Sequence, residues 1–313
     1  MPDVDIVIVN YRSAAHTAAC VGAACKIARE DGIEVKIIVV NNGDESSHLE
    51  ALVREQGPAD ILHNPSNLGF GAACNIGAAR GGSALVLFLN PDALILPGYF
   101  RAATAFMNTP ANAGIGILGP AIENETSAVS QTCSPLPSVA GLLARTLGLT
   151  QGFLPAADHA KPGTVGQVMG AALMIRRTLF TVLGGFDARY FLYYEDVDLC
   201  ARAAAKGALS YYLPAARVRH IGRVSSSQDT GMALALFLRS RFTYARLHFG
   251  MSAQALLVAA SYGGELPLRL IKTLFGGHSI TGKAVLRAYC LLSLHFVSGE
   301  DLVRLGARGR NGS

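Results

Sequence analysis

The chain has 313 residues, half of them hydrophobic and only 16% charged, with 34 glycines and no tryptophan. That balance excludes a disordered chain and a collagen-like repeat, and the length provides a sizeable core in one large unit or two domains. The net charge of +5 is uneven: residues 1–230 carry 17 Lys and Arg against 19 Asp and Glu, whereas residues 231–313 carry 10 against 3. This basic tail is dominated by Leu, Ala, Phe and Val rather than by polar residues around aromatic stacking platforms, which argues against nucleic acid and leaves an anionic lipid surface or an acidic ligand. The acidic start Met-Pro-Asp-Val-Asp is no signal peptide. Residues 247–264 and 284–297 fall short of the ~20 apolar residues of a spanning helix, so the expectation is a cytoplasmic protein, at most peripheral on the inner face of the plasma membrane. Six cysteines without a Cys-x-x-Cys pair read as buried, reduced thiols.

In chain order, Asp5–Asn10 is a short apolar run, Ala14–Glu30 is Ala-rich and helix-like, and Val35–Val40 is a continuous β-branched run of the kind covered on both faces. Ser47–Gln56 reads as a helix, Ile61–His63 as a short strand, Gly71–Ala79 as a helix opened by a glycine-rich turn, and Ala84–Leu89 as a third buried strand. The alternation predicts a parallel sheet with crossover helices. Prolines punctuate residues 110–162, which reads as long loops over the sheet. Regularity returns at Gln167–Arg177, in a helix at Val197–Lys206 and in a strand at Leu209–Leu213, and residues from Gly231 onward read as helical.

Four clusters carry chemistry. Asn67-Leu-Gly-Phe-Gly-Ala-Ala-Cys-Asn75 departs from a dinucleotide fingerprint but keeps glycines that admit a ligand at a helix N-terminus; a tight strand–helix turn explains it equally. Asn90-Pro-Asp92 ends a buried strand, where ligands sit in parallel sheets; its oxygens suit Mg²⁺ or Mn²⁺, or the segment simply stops the strand. Glu195, Asp196 and Asp198 crowd the first turn of a helix, which the macrodipole favours. Asp198 can pair with Arg202, leaving Glu195 or Asp196 as a general base. His220 follows a strand, just before a serine run at 225–227, and is either structural or a metal ligand.

In order, these clusters resemble the family 2 inverting glycosyltransferases, especially their rhamnosyltransferase-like branch. The resemblance rests on Ile8-Val-Asn10-Tyr11 with Val39-Val-Asn41-Asn42, Asn67-Leu-Gly69-Phe-Gly71 with Asn75, and Leu89-Asn90-Pro-Asp92. It continues through Met169–Arg177, Gly184–Asp187, Tyr194–Asp198 and His220. It covers residues 4–225 and implies a GT-A (Rossmann-like) fold, a mainly parallel sheet flanked by helices, with a helical C-terminal extension. The implied organisation is a nucleotide-sugar-binding half at 1–110, an acceptor-binding and catalytic half at 111–230, and a basic, apolar helical region at 231–313.

The resemblance implies inverting transfer of a sugar, from dTDP-rhamnose ahead of a UDP-hexose, to a hydroxyl of a cell-surface glycan or lipid-linked acceptor. Asn10, Tyr11, Asn41, Asn42, Asn67, Gly69, Gly71, Asn75, Asn90 and Asp92 would hold the donor. Asp196 would act as base with Glu195 beside it, and Asp92 with His220 would bind a divalent cation. Two departures stand out: Asn90 replaces the first carboxylate of an Asp-x-Asp motif, and Asn41 stands where an acidic residue commonly meets the base, so its carbonyl would accept the N3–H of uracil or thymine. Both departures also fit an inactive nucleotide- or carbohydrate-binding scaffold of the same fold. A nucleotidyltransferase would place a basic, Gly-rich loop where Asn10-Tyr-Arg-Ser-Ala-Ala stands.

Overall fold

A computed structural model describes residues 2–43, 46–130, 132–150, 161–220, 229–274 and 280–308. Contacts divide the chain into one unit of Met1–Leu136, Phe153–Phe191 and Glu195–Ser225 and another of Pro137–Gly152, Leu192–Tyr194 and Ser226–Ser313. The elements run β1 (Val4–Asn10), α1 (Ala14–Asp31), β2 (Val35–Asn41), α2 (Ser46–Gln56), β3 (Asp60–His63), α3 (Phe70–Arg80), β4 (Leu85–Leu89), β5 (Ala93–Ile95), α4 (Tyr99–Asn108), β6 (Ile115–Glu123), β7 (Cys133–Ser134) and α5 (Val139–Thr146). They continue with β8 (Gly163–Val165), β9 (Gln167–Val168), β10 (Ala172–Arg176), α6 (Arg177–Val182), α7 (Glu195–Ala205) and β11 (Leu209–His220).

The first unit is built on one sheet of order β3-β2-β1-β4-β10-β6-β11-β5, with β8 added beside β11. β1 pairs in parallel with β2 and β4, and β2 with β3. β10 is antiparallel to both of its neighbours. Side chains of β1 alternate between two cores: Ile6 and Ile8 face the core that includes α1 and α4, while Val7 and Val9 face the one that includes α3, α7, Phe180 and Phe186. Burial on both faces is why these strands read as unbroken apolar runs.

Two readings change. The loosely textured stretch beyond residue 110 contains β6, all nine of whose residues are buried. Its glycines and proline disguise it: a Cβ on Gly119 would lie 2.6 Å from Val168, and Pro120 sits opposite Leu213, where β11 shifts register. β11 is likewise longer than Leu209–Leu213 and ends on His220; the serine run 225–227 lies outside the described residues.

The second unit comprises α5, α8 (Thr230–Phe249), α9 (Met251–Ala260), a π-helical turn (Ser261–Glu265), α10 (Leu266–Leu274), α11 (Gly282–Ser298) and α12 (Leu302–Arg308), together with Leu192–Tyr194. Asp229 caps α8 by accepting from the Met232 N–H at 3.0 Å, and it pairs with Arg287 at 2.9 Å. Arg241, almost fully buried, pairs with Glu265, which also accepts from Arg269 at 2.7 Å and from the Ser261 hydroxyl at 3.0 Å. Burial alone would raise the Glu265 carboxyl; Arg241 and Arg269 outweigh it and hold it below the ordinary value.

α10 departs from its expected faces. The sequence places Pro267, Leu270, Ile271, Leu274 and Phe275 on one side, with Arg269 and Lys272 opposite. Instead Leu266, Arg269, Leu270 and Thr273 are half-buried, and Pro267, Leu268, Ile271, Lys272 and Leu274 are exposed. The pull of Glu265 on Arg269 is the physical reason; Phe275 lies outside the described residues. Among the described residues, no helix is long and apolar enough to cross a membrane. All six cysteines are free thiols: Cys20, Cys74, Cys133 and Cys200 are buried, Cys25 is half-buried and Cys290 is exposed.

Candidate active site

The candidate residues gather where β1, β2 and β4 end. Asn10 and Asn41 close neighbouring strands in register, and their buried side chains meet, with Asn10 Nδ2 donating to Asn41 Oδ1 at 3.0 Å. Asn10 Oδ1 accepts from the Thr17 and Ser13 hydroxyls at 2.8 and 3.2 Å. Asn41 Oδ1 also accepts from the Gly43 N–H at 3.3 Å. Both lone pairs of the carbonyl expected to read a base are therefore engaged within the protein.

Asn42 is engaged at both ends. It donates to Asn67 Oδ1 at 2.8 Å and to the Gly69 carbonyl at 3.2 Å, and accepts from Asn64 Nδ2 and the Leu68 N–H, each at 3.0 Å. Asn67 in turn accepts from the Gly69 N–H at 3.0 Å. Beyond this web, Asn75 exchanges two 2.8 Å hydrogen bonds with the backbone of Phe186. Gly69 has φ +88°, and a Cβ there would lie 2.4 Å from the Phe191 carbonyl oxygen, which accepts from the Phe70 N–H at 2.9 Å. Gly71 packs so tightly that a Cβ would meet that of Phe186 at 3.0 Å and that of Glu195 at 3.6 Å. The asparagines thus brace the loop that opens α3, and the glycines let it approach the 186–191 segment. Tyr11 is half-exposed beside Arg12, whose φ is +52° and whose guanidinium lies 5.4 Å from the Tyr11 ring centre.

The acidic turn of α7 holds three carboxyl groups in different states. Asp198 is structural: it pairs with Arg202 at 2.6 Å, and Arg202 also donates to the Leu183 and Gly185 carbonyls. Asp196 is half-exposed, and its carboxylate is fixed by two backbone donors, the Gly170 N–H at 2.7 Å and the Val197 N–H at 2.8 Å. Burial raises its pKa and these donors oppose the rise. Glu195 is 6% exposed, and among the described residues its Oε2 has no hydrogen-bond partner. Burial, reinforced by the charge of Asp196, pushes its carboxyl up to about 8. Burial thus disfavours ionisation of both carboxyls, and two backbone N–H groups favour it at Asp196. Directly before them, Tyr193 and Tyr194 have φ of +70° and +68°, a conformation that costs L-residues of order 1–3 kcal/mol each and that gathers at functional sites.

Asp92 and His220, 128 positions apart, meet at 3.0 Å between Oδ1 and Nε2 because β5 and β11 pair Ala93 with His220. One carboxylate oxygen and one imidazole nitrogen suit a hard divalent cation that draws its remaining ligands from phosphate and water. They form a two-residue corner: among the described residues no group of three or more His, Cys, Asp or Glu side chains could hold a metal ion. Asn90 is held through its backbone, donating to the Ala171 carbonyl at 2.9 Å and accepting from the Cys20 thiol at 3.6 Å. The Gly170 N–H is the functional group that residue-by-residue reading missed. The only local signal for it is a glycine beside short strands, where a Cβ would crowd Asp196 Oδ2 at 3.2 Å.

The chain is 30% identical over 258 residues to an N-acetylglucosaminyl-diphospho-decaprenol L-rhamnosyltransferase of Mycobacterium tuberculosis, covering 76% of this chain and 82% of that protein. Over 98 residues it is 30% identical to rhamnosyltransferase WbbL of Escherichia coli, covering 31% and 37% of the two chains. In structure it resembles a mannosyltransferase of Pyrobaculum calidifontis, solved with GDP-Man and Mn²⁺, with a TM-score of 0.54 at 15% identity, over 99% of this chain and 80% of that one. That likeness identifies the fold as GT-A. The family model described as glycosyltransferase like family 2 matches residues 2–242, and the chain belongs to that family.

Proposed function

We propose that this glycosyltransferase moves rhamnose from dTDP-rhamnose, ahead of a hexose from a UDP-sugar, to a hydroxyl of a cell-surface glycan precursor or lipid-linked saccharide, with inversion at the anomeric carbon. The observation that carries the proposal is the Asp196 carboxylate, half-buried and aimed by two backbone N–H groups, beside Glu195, whose Oε2 has no hydrogen-bond partner among the described residues. The 30% identity to a relative named for rhamnosyl transfer to a diphospholipid-linked sugar supports the choice of donor and acceptor, and such an acceptor would place the enzyme at the cytoplasmic face of the membrane.

In this mechanism the acceptor hydroxyl oxygen attacks the anomeric carbon on the face opposite the diphosphate. The C–O bond to phosphate breaks, its electron pair leaves with the diphosphate, and the hydroxyl proton passes to Asp196. Glu195, whose carboxyl is pushed up to about 8 by burial and then by the charge of Asp196, would stay neutral at pH 7 and add no second negative charge beside the base. The web of Asn10, Asn41, Asn42 and Asn67, with Gly69, Gly71 and Asn75, shapes the donor cradle, and Tyr11 and the loop backbone provide its contacts. Asp92 and His220, with Asn90 nearby in the chain, would hold a divalent cation, which when bound supplies positive charge to the departing diphosphate.

Turnover with a panel of nucleotide-sugars, wild type against Asp196→Asn, tests the reading. The substitution should lower transfer by on the order of 10²–10⁴-fold while leaving donor binding nearly intact. Full retained turnover would remove Asp196 from the mechanism. Binding without turnover by wild type across the panel would indicate a scaffold, and release of pyrophosphate a nucleotidyltransferase. Asp92→Ala and His220→Ala should each weaken donor binding and blunt its response to EDTA; an unchanged response rejects the cation corner.

A further inference from the structure

The C-terminal unit carries an apolar surface that its described residues leave uncovered. α9, the π-helical turn and α10 follow one another without a break from Met251 to Leu274, and no residue of α10 is buried. Along this segment Met251, Leu256, Leu268, Ile271 and Leu274 are exposed, Met251 by 73% and Leu274 by 81%. α11 repeats the pattern with Leu286, Leu294, Phe296 and Val297, the last 87% exposed. The Tyr262 hydroxyl of the π-helical turn lies 3.0 Å from the Ser293 hydroxyl of α11, and the Tyr262 and Tyr289 rings stack edge to face at 5.1 Å, so the two segments are packed neighbours. α10 is thus inside out for a helix in water, with Arg269 turned in to Glu265 while Leu268, Ile271 and Leu274 face solvent.

Charge selects the occupant. Of the three acidic residues in 231–313, Glu265 is buried against Arg241, and Glu300 and Asp301 lie beyond α11. The exposed faces of α9, α10 and α11 therefore carry Lys272 and Lys283 and no carboxylate. In a symmetric dimer built through this surface, both copies would offer lysines and neither an acid to meet them. Apolar residues flanked by lysines instead match the boundary between acyl chains and anionic headgroups, where the apolar side chains enter the bilayer and the ammonium groups remain at the phosphates.

We propose that this surface seats the protein on a lipid bilayer bearing anionic headgroups, lying in its interface rather than crossing it. The proposal does not depend on which sugar is transferred, and its test needs no turnover. The full chain is sedimented with phosphatidylglycerol–phosphatidylcholine vesicles and with phosphatidylcholine vesicles alone. Wild type should bind the anionic vesicles and lose most of that binding at high salt. Ile271→Glu with Leu274→Glu should lower binding by about tenfold or more without changing the melting temperature, because both side chains already face solvent. Lys272→Glu with Lys283→Glu should weaken binding to anionic vesicles and leave the weak binding to neutral ones unchanged. Equal binding by the Ile271/Leu274 variant, or no binding of wild type to either vesicle, overturns the proposal. A wild-type dimer in sedimentation equilibrium that the same variant dissolves, with no vesicle binding, would assign the surface to a second copy instead.

Discussion

At the amino ends of β1 and β4, the fully buried Asp5 carboxylate has a partner for each oxygen: the Ser83 hydroxyl at 2.7 Å on Oδ1, and the Ser83 N–H at 2.8 Å with Arg177 at 2.5 Å on Oδ2. Beyond the opposite end of the sheet, at the start of α7, Glu195 is nearly as enclosed, yet among the described residues its Oε2 has no hydrogen-bond partner, and the partners of the Asp196 carboxylate beside it are backbone N–H groups. One fold thus treats buried carboxyls in two ways. Where the charge is structural it is closed off by a guanidinium; where chemistry is proposed it is positioned by main-chain dipoles that leave its proton free to move. Burial is common to both places; a fixed counter-charge is what separates the structural carboxylate from the pair proposed for catalysis.

The sharpest break in that comparison comes from Arg177. Arg177→Ala leaves Asp5 buried without its cation and also removes donors from the Ser83 and Ala78 carbonyls. A loss of about 3–5 kcal/mol is expected in urea unfolding, because an uncompensated buried charge remains. Transfer per folded molecule should be retained. Asp196→Asn should do the reverse, with stability nearly unchanged and turnover lost. If both variants lose stability alike, the two ends of the sheet are not built on different rules.

A smaller effect tests the main-chain positioning itself. In Gly170→Ala the new methyl would sit 3.2 Å from both Cβ and Oδ2 of Asp196. The carboxylate must then shift by a few tenths of an ångström while its backbone donor remains. About a tenfold fall in kcat, with KM for the donor unchanged, is the expected outcome, since small misplacements of a reacting group cost roughly that or more. An equal fall in donor affinity would place Gly170 in the donor cradle rather than behind the base.

How much of this was legible in the sequence follows from which contacts are local. β1, β2 and β4 could be read because burial on both faces leaves unbroken apolar runs, and the Asp198–Arg202 pair because it spans one helical turn. β6 was hidden because packing against Leu179 and Val168 demands Gly116 and Gly119, residues that otherwise signal a turn. The faces of α10 were misassigned because the buried Glu265 outranks the apolar pattern in deciding where Arg269 points. Asp92 and His220 were joined only by resemblance, since no local spacing reveals a pairing across 128 positions. The asparagines were picked out as chemically important, but their closed web of hydrogen bonds spans separate loops and cannot be read from any one segment.

The smallest expected effect bears on Glu195. Its carboxyl titrates at an ordinary 4.5 when unfolded and near 8 in the fold, because burial and then the charge of Asp196 disfavour ionisation. The folded protein therefore holds this proton more tightly than the unfolded chain does. The stability that results is complete below pH 4.5 and is lost as pH rises through about 8. Glu195→Gln keeps a neutral side chain of the same shape at every pH, so its melting temperature should fall less than that of wild type between pH 6 and 9. The two curves should lie close together at pH 4.5 and below, stand apart already at pH 6, and reach their widest separation, about several degrees, above pH 8, with the variant higher. Parallel curves would mean that Glu195 does not titrate in this range, and the contrast with Asp5 would then rest on Asp196 alone. Near-normal transfer by the variant at pH 7 would further assign Glu195 the role of a neutral neighbour, since the substitution preserves the uncharged state it holds there.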